Sequence, residues 1–280
     1  MVLSLLTVLS LLAIDARRCA TELTVARYTR ETELSRPLRL VQLSDLHGYR
    51  FGENNEDLVE LVRLQEPDLI LMTGDMLDKS QDGPEAVCEL IAGLREIAPV
   101  YYGHGNHEAS WEARTGRDLN PILTEAGAAV LDFTYTDVTV KGQALRIGGC
   151  GTYYRHPGML SKSREIWEAE TAFADSFENT QRFKLLLCHI PTVWLDWNNI
   201  DKFPVDLVLT GHYHGGQIRL PLLGELYAPY VGLFPRYTEG LYTGRTAACV
   251  LTTGLGSSPG VPRIHNPAQI TVVDLVPKEN

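Results

Sequence analysis

Seven side chains of this sequence are suited to binding metal ions, and each follows a short apolar run. Leu38 to Leu43 ends in Ser44-Asp45-Leu46-His47, and Leu69 to Met72 ends in Thr73-Gly74-Asp75. Val100 to Tyr102 ends in Gly103-His104-Gly105-Asn106-His107-Glu108, and Lys184 to Cys188 ends in His189. Val205 to Leu209 ends in Thr210-Gly211-His212-Tyr213-His214. Such runs fit strands buried on both faces, and the carboxyl ends of buried strands are where open α/β sheets place ligands. The ends present Asp45, His47, Asp75, Asn106, His189, His212 and His214. Carboxylate, amide oxygen and imidazole without a thiolate motif suit Mn, Fe, Zn or Mg rather than copper or an iron–sulfur cluster. Asp75 alone reads equally well as a turn or cap residue. Five such ends in order, with Gly directly before Asp75, Asn106 and His212, are not explained as core or surface residues.

Helices must separate these strands. Asn54-Asn55 can cap a helix running to about Gln65, with Leu58, Leu61, Val62 and Leu64 inward. Pro84 suits the first turn of a helix ending near Ile97, with Val87, Leu90, Ile91 and Leu94 as its stripe. Leu119 to Ala126 reads as another helix. Thirty residues separate Asp45 from Asp75 and thirty-one separate Asp75 from Asn106, one strand–helix unit each. The alternation predicts an α/β fold with at least partly parallel sheets. Glu22 to Tyr28 reads as an edge strand, and Arg30 to Arg36 as a polar connection. Tyr135 to Val140 and Ala144 to Gly149 read as a hairpin around Lys141-Gly142. Ser161 to Phe177 reads as helix, and Leu241 to Thr252 and Gln269 to Val276 as strands.

On length alone, 280 residues make one large domain or two small ones, and 44% apolar content is enough for a substantial core. The net charge of −10 and the lack of a basic patch argue against a nucleic-acid partner. They do not exclude an anionic substrate, because bound metals reverse the local field. The five cysteines are odd in number and contain no CxxC. Cys88 and Cys188 read as buried thiols, with Cys188 facing away from its neighbour His189. Val2 to Ile14 is apolar apart from Ser4, Thr7 and Ser10, too short to span a bilayer and without the basic start of a signal peptide. It reads as a membrane anchor over residues 1–20, or as a short apolar helix packed on the domain. Arg17-Arg18 after it would place the catalytic domain on the cytosolic side.

Taken together, Asp45-Leu46-His47, Gly74-Asp75-Met76-Leu77-Asp78, Gly105-Asn106-His107-Glu108, the lone His189 and Gly211-His212-Tyr213-His214 resemble the calcineurin-like metallophosphoesterases. The resemblance runs from about Pro37 to Leu275. It implies a four-layer helix–sheet–sheet–helix sandwich with mixed sheets, in a domain spanning 21–280. It implies two divalent metal ions, Mn favoured over Fe, Zn or Mg. Asp45, His47, Asp75 and His214 would hold the first, and Asp75, Asn106, His189 and His212 the second, with Asp75 bridging. A hydroxide between the metals would attack phosphorus, and His107 would protonate the leaving group or stabilise transition-state charge. Asn106 can ligate without adding negative charge that repels phosphate. Asp78 and Glu108 would orient the ligands.

The run Gly215-Gly216-Gln217-Ile218-Arg219-Leu220-Pro221 and the later Gly-rich tail resemble one subgroup, the YaeI/YkuE-like membrane-associated phosphoesterases. That implies membrane attachment through the N-terminus. Relatives that cleave nucleotide–lipid pyrophosphates make a phosphoester on a membrane lipid or nucleotide-lipid the expected substrate. A phosphomonoesterase or protein phosphatase on the same centre is the runner-up. A membrane-tethered, non-catalytic binding module should have lost ligands, and none is missing. Oligomeric state is left open. Tyr213 stands where the family commonly has Thr, which would reshape the pocket rim, and Gly151-Thr152-Tyr153-Tyr154 lacks an acid that relatives often carry. His104 reads as bland. Arg155, His156 and Arg219 are surface residues able to touch a phosphate. Pro221 to Tyr237, apolar and aromatic, reads as a lid, an acyl-chain groove or simple core packing.

Overall fold

The structure is a computed structural model describing residues 2–152, 154–155, 164–228, 231–257 and 260–278. A first helix, α1 (Val2–Thr21), precedes β1 (Leu23–Thr32) and β2 (Leu38–Leu43). Then α2 (Glu56–Arg63), β3 (Leu69–Thr73), α3 (Glu85–Leu94) and β4 (Val100–Gly103) alternate. They lead to α4 (Asn106–Thr115), α5 (Asn120–Ala126) and β5 (Ala128–Leu131). The second half holds β6 (Thr134–Val140), β7 (Gln143–Gly149), α6 (Arg164–Glu178), β8 (Phe183–Leu187) and β9 (Leu207–Thr210). Four two-residue strands follow: β10 (Arg219–Leu220), β11 (Gly224–Glu225), β12 (Tyr227–Ala228) and β13 (Gly232–Leu233). Last come β14 (Gly240–Thr243), β15 (Ala248–Leu251) and β16 (Ala268–Pro277).

Two six-stranded sheets result, in the orders β1-β16-β2-β3-β4-β5 and β14-β15-β9-β8-β7-β6. β2 to β5 pair in parallel, as do β7, β8, β9 and β15. Antiparallel pairs β16–β2, β6–β7 and β14–β15 make both sheets mixed. Leu40, Leu69 and Leu71 of one sheet pack on Ile147, Leu185, Leu187 and Leu209 of the other. Helices α2 to α5 cover the outer face of the first sheet through Leu58, Val87, Ile91, Trp111 and Leu123. Helix α6 covers the second through Phe173 and Phe177. This is the expected α/β helix–sheet–sheet–helix sandwich. Buried Gln42 joins the sheets, its amide donating to Thr73 Oγ1 and the Thr210 carbonyl, both at 2.9 Å.

The Lys141-Gly142 hairpin forms as expected, with φ of 49° and 80° and a Val140–Gln143 pair. Several expectations change. β1 runs through Arg30 to Thr32, because it pairs in parallel with β16 along its whole length. Asn55 does not cap α2. It sits at φ 63°, its Oδ1 accepts the Phe51 N–H at 3.2 Å, and its Nδ2 donates to Ala86 O. Leu64 is exposed, since α2 stops at Arg63. Helix α4 and strand β5 went unforeseen. The expected helical residues 161–163 lie outside the described residues. Helix α1 outruns the apolar segment, its last turns docked through buried Cys19 and through Asp15, which accepts the His265 N–H at 2.7 Å. No described helix is long and apolar enough to cross a membrane.

Candidate metal centre

The loops at the carboxyl ends of β2, β3, β4, β8 and β9 meet at the rim shared by the two sheets. Asp45 and His47 follow β2, Asp75 follows β3, Asn106 opens α4, His189 follows β8, and His212 and His214 follow β9. Asp45, His47, Asp75, His212 and His214 all have left-handed backbones, with φ of 56°, 51°, 52°, 72° and 48°. Each such residue stores on the order of 1–3 kcal/mol unless its surroundings hold it. Glycine makes the close approach possible. A Cβ on Gly74 would lie 2.4 Å from the Gly105 nitrogen, and one on Gly211 would lie 2.2 Å from Ser44 Oγ.

Glu108 locks two of these loops together. Its buried carboxylate accepts the N–H groups of Asp75 (2.8 Å), Met76 (2.9 Å) and Gly105 (2.8 Å), and the Tyr102 hydroxyl at 2.7 Å. This is the orienting role expected of it. Asp45 plays a similar part across the sheets, with both carboxylate oxygens 3.1 Å from the His212 N–H.

Donor atoms of Asp45, His47 and His214 lie within 4.8 Å of one another, and so do those of Asp75, His189 and His212. Ligand atoms about 2.1 Å from one cation sit about 3.0–3.4 Å apart. His47 Nε2 and His214 Nε2 are 3.3 Å apart, His189 Nε2 and His212 Nδ1 3.2 Å, and His189 Nε2 and Asp75 Oδ2 3.1 Å. His189 Nδ1 is 2.8 Å from the Thr73 carbonyl, so Nδ1 carries the proton and Nε2 faces the site. The Asn106 Oδ1 is buried with no hydrogen bond among the described residues. A buried acceptor without a donor is costly; a cation would satisfy it. The donor set therefore fits two divalent ions.

Burial governs the charges. It pushes Asp45 up to about 6, partly offset by His189, and pushes His47 down to about 4. Burial and then His189 bring His212 down to about 3, and burial holds His214 well below an ordinary imidazole. Burial alone would lower His189, but the Asp75 carboxylate outweighs it and lifts this ring to about 10. Asp75 in turn is driven far below an ordinary carboxylate, His189 overcoming the effect of burial. The protein by itself settles as an Asp75–His189 ion pair among neutral imidazoles, with a proton where a cation can sit.

His107 stands beside this set. Its N–H donates to Asp75 Oδ1 at 2.7 Å. Its Nδ1 accepts the Lys79 N–H at 3.1 Å and lies 3.3 Å from Asp78 Oδ2. Its Nε2 is 4.0 Å from Asp75 Oδ2. Asp78 Oδ2 is buried near both His107 and His47, whose Nδ1 is 3.9 Å away, but it makes no hydrogen bond to either ring, so the orienting role expected of Asp78 has no hydrogen bond behind it.

Other expected contacts resolve differently. Tyr213 does not shape the pocket rim. It is buried in the core under α6, its hydroxyl donating to Asp196 at 2.6 Å. Arg155 is committed to Glu178 and Asp175, and Arg219 to Glu239, so neither is free for phosphate. His156 and Tyr153 lie outside the described residues. Cys188 points away from the metals as expected, taking the Trp194 indole N–H at 3.4 Å. His104 is buried edge-on to Tyr102. Sequence reading missed Arg263 and Asn266, both buried beside His214. Full burial of an arginine is their one signal, and it is visible only in three dimensions.

Residues 38–216 match the family model described as calcineurin-like phosphoesterase. The Escherichia coli (strain K12) protein named phosphodiesterase YaeI is 30% identical over 246 residues, covering 86% of this chain and 83% of that one. The uncharacterised metallophosphoesterase YkuE of Bacillus subtilis (strain 168) is 27% identical over 246 residues, covering 85% and 78%. Among solved structures, TT1561 of Thermus thermophilus aligns with a TM-score of 0.48 at 16% identity, over 78% of this chain and 90% of that one. With the family model covering more than half its length, the chain belongs to the calcineurin-like phosphoesterase family and is a metal-dependent phosphoester hydrolase.

Proposed function

We propose that the chain is a two-metal phosphodiesterase or pyrophosphatase, tethered to a membrane through residues 1–20 and acting on a lipid-linked substrate, with Mn as the favoured ion. The observation that carries the chemistry is the pair of adjacent donor groups, Asp45–His47–His214 and Asp75–His189–His212. Bound there, two divalent cations would neutralise phosphoryl oxygens and lower the pKa of an attacking water. The chain's own residues set everything else. Asn106 would complete the second group with a neutral oxygen, leaving room for anionic substrate. Asp75 lies between the groups, held by Glu108 and by the His107 N–H. The Lys79 N–H occupies His107 Nδ1, so in the neutral ring the proton is on Nε2, the nitrogen nearer Asp75. From there it can hydrogen-bond charge developing on the leaving oxygen; outright transfer to that oxygen would need the doubly protonated ring, with Asp78 Oδ2, 3.3 Å from Nδ1, as the acceptor.

A diester or pyrophosphate is favoured over a monoester by the named activity of the Escherichia coli relative. A lipid substrate is favoured by exposed apolar groups in the segment that follows the ligand loops. Leu222, Leu223, Leu233 and Phe234 are exposed in the segment that leaves His214. In α1, Leu6, Leu9, Leu11, Leu12 and Ile14 are exposed. At about 100° per residue these five circle the helix, and a helix apolar all round needs an apolar surrounding.

The test is metal analysis of the purified chain, followed by hydrolysis of bis-p-nitrophenyl phosphate, p-nitrophenyl phosphate and a nucleotide–lipid pyrophosphate. The proposal expects two metals per chain and preference for the diester or the pyrophosphate. His107→Gln should lower kcat by about 10²–10³ with both metals kept. Preference for the monoester would replace the substrate assignment. Full activity of the His107 variant would remove the proposed acid.

A further inference from the structure

The tail between β15 and β16 contains a buried arginine that the chemistry so far does not use. Arg263 is 1% exposed. Its Nε donates to Gly256 O and one Nη to Thr253 O, both at 2.6 Å, and the other Nη reaches Asn266 O at 3.5 Å. Among the described residues its hydrogen bonds all go to backbone carbonyls. Burial lowers this guanidinium to about 10, so it stays charged at neutral pH. The Asp45 carboxylate offsets part of that burial, but a buried charge whose hydrogen bonds go only to carbonyls is still a costly way to close a loop. The loop it closes does something specific.

That loop touches two expected metal ligands. The Gly256 N–H donates to Asp45 O at 2.6 Å, and the Leu255 N–H to Ser44 O at 3.0 Å. Gly254 packs so closely that a Cβ there would lie 2.7 Å from Asp45 Cβ. On the other side, Asn266 Nδ2 donates to His214 O at 2.7 Å and to Gln217 O at 3.3 Å. Arg263 thus binds one segment that fixes the Asp45 backbone and the carbonyl of the residue that fixes His214. Both ligands have left-handed φ and need outside restraint. Two of the three ligands in the other donor group are held by different means, while the third, His212, gives its N–H to the Asp45 carboxylate. Glu108 takes the Asp75 N–H, and Thr73 O takes His189 Nδ1.

We propose that Arg263 and Asn266 are positioning residues for one metal only, the ion held by Asp45, His47 and His214. This rests on the two-metal reading. The experiment is titration of metal-free full-length chain with Mn²⁺, read by calorimetry and by the spin-coupled Mn(II) pair signal in electron paramagnetic resonance. Wild type should show two sites; a single site would overturn the two-metal reading itself. In Arg263→Gln and Asn266→Ala, one site should weaken at least about tenfold, the other should stay within about twofold, and the coupled signal should vanish. His214→Ala should weaken or abolish that same site, and adding Arg263→Gln to it should cost the remaining site nothing further. Equal weakening of both sites, no weakening, or additive loss in the double variant would each overturn the proposal. If Arg263→Gln does not fold, Asn266→Ala, which removes one amide and no charge, carries the same prediction.

Discussion

The ligand loops and the segment from β10 to β13 adjoin each other and are built on opposite principles. In the loops, polar atoms are buried, five ligand backbones are left-handed, and Asp75, His212, Asp45 and His214 are restrained through their main chains by Glu108, the Asp45 carboxylate, Gly256 and Asn266. The segment has strands of only two residues, and it exposes Leu222 and Leu223 between β10 and β11, and Leu233 and Phe234 at the end of β13. Backbone bonds still join the two regions. The Leu226 N–H donates to Ile218 O at 2.7 Å, and the Phe234 N–H to Leu226 O at 2.8 Å. The contrast separates two tasks. Reaction geometry demands rigidity to within a fraction of an ångström, whereas choice of substrate or surface needs only suitable chemistry facing outward.

If the loops hold the chemistry, losing their shared carboxylate must have the largest effect. Asp75→Ala should lower turnover by on the order of 10⁴ or more and reduce bound metal below two per chain. Wild-type turnover by a folded Asp75→Ala protein would sink the assignment of the site.

Next is rigidity itself. Glu108→Gln keeps the shape of the side chain but removes a charged acceptor and turns an amide NH₂ toward donors. Three N–H groups and a hydroxyl lose part of their satisfaction. Stability should fall by about 2–4 kcal/mol in urea denaturation. A loss below about 0.5 kcal/mol would mean that the loops are held by other contacts.

How much of this contrast was legible in the sequence depends on range. The strand ends and their ligands could be read because apolar runs and the residues after them are local. The Lys141-Gly142 turn could be read for the same reason. Helix α4 could not, since Gly105-Asn106 looks like a loop until Glu108 reaches back to the Gly105 N–H. The left-handed backbones at five ligands were hidden, because nothing in Asp or His announces φ above zero. Tyr213 misled although alternation holds there: His212 and His214 face the site, and the Tyr213 ring turns the other way into the core, so it does not reach the rim. Arg263 was invisible because its partners are carbonyls, which every residue has.

A smaller effect tests the charges inside the loops. With His189 raised to about 10, it is protonated at pH 7 and cannot ligate until that proton leaves. Binding a metal there should release about one proton, and affinity should rise about tenfold per pH unit from about 7 to 9, flattening as pH nears the histidine's own value. Calorimetry in buffers of different ionisation enthalpy counts the proton. Affinity independent of pH over that range would show that His189 is already neutral, and that Asp75 does not hold it as an ion pair.

The smallest expected effect belongs to the outer segment. Leu222 is fully exposed and has φ 69°, a conformation that costs an aliphatic residue more than it costs Asp. Replacing Leu222 and Leu223 with Asp should therefore leave the fold intact, and hydrolysis of bis-p-nitrophenyl phosphate should change by less than about twofold. If these leucines meet lipid, the same variant should bind vesicles of anionic phospholipid about tenfold more weakly, since two exposed side chains lose their apolar burial and gain charge. Unchanged vesicle binding would confine any membrane contact to α1. Loss of soluble turnover would erase the separation of tasks, because it would mean that the segment helps to hold the ligand loops through Ile218 and Leu226.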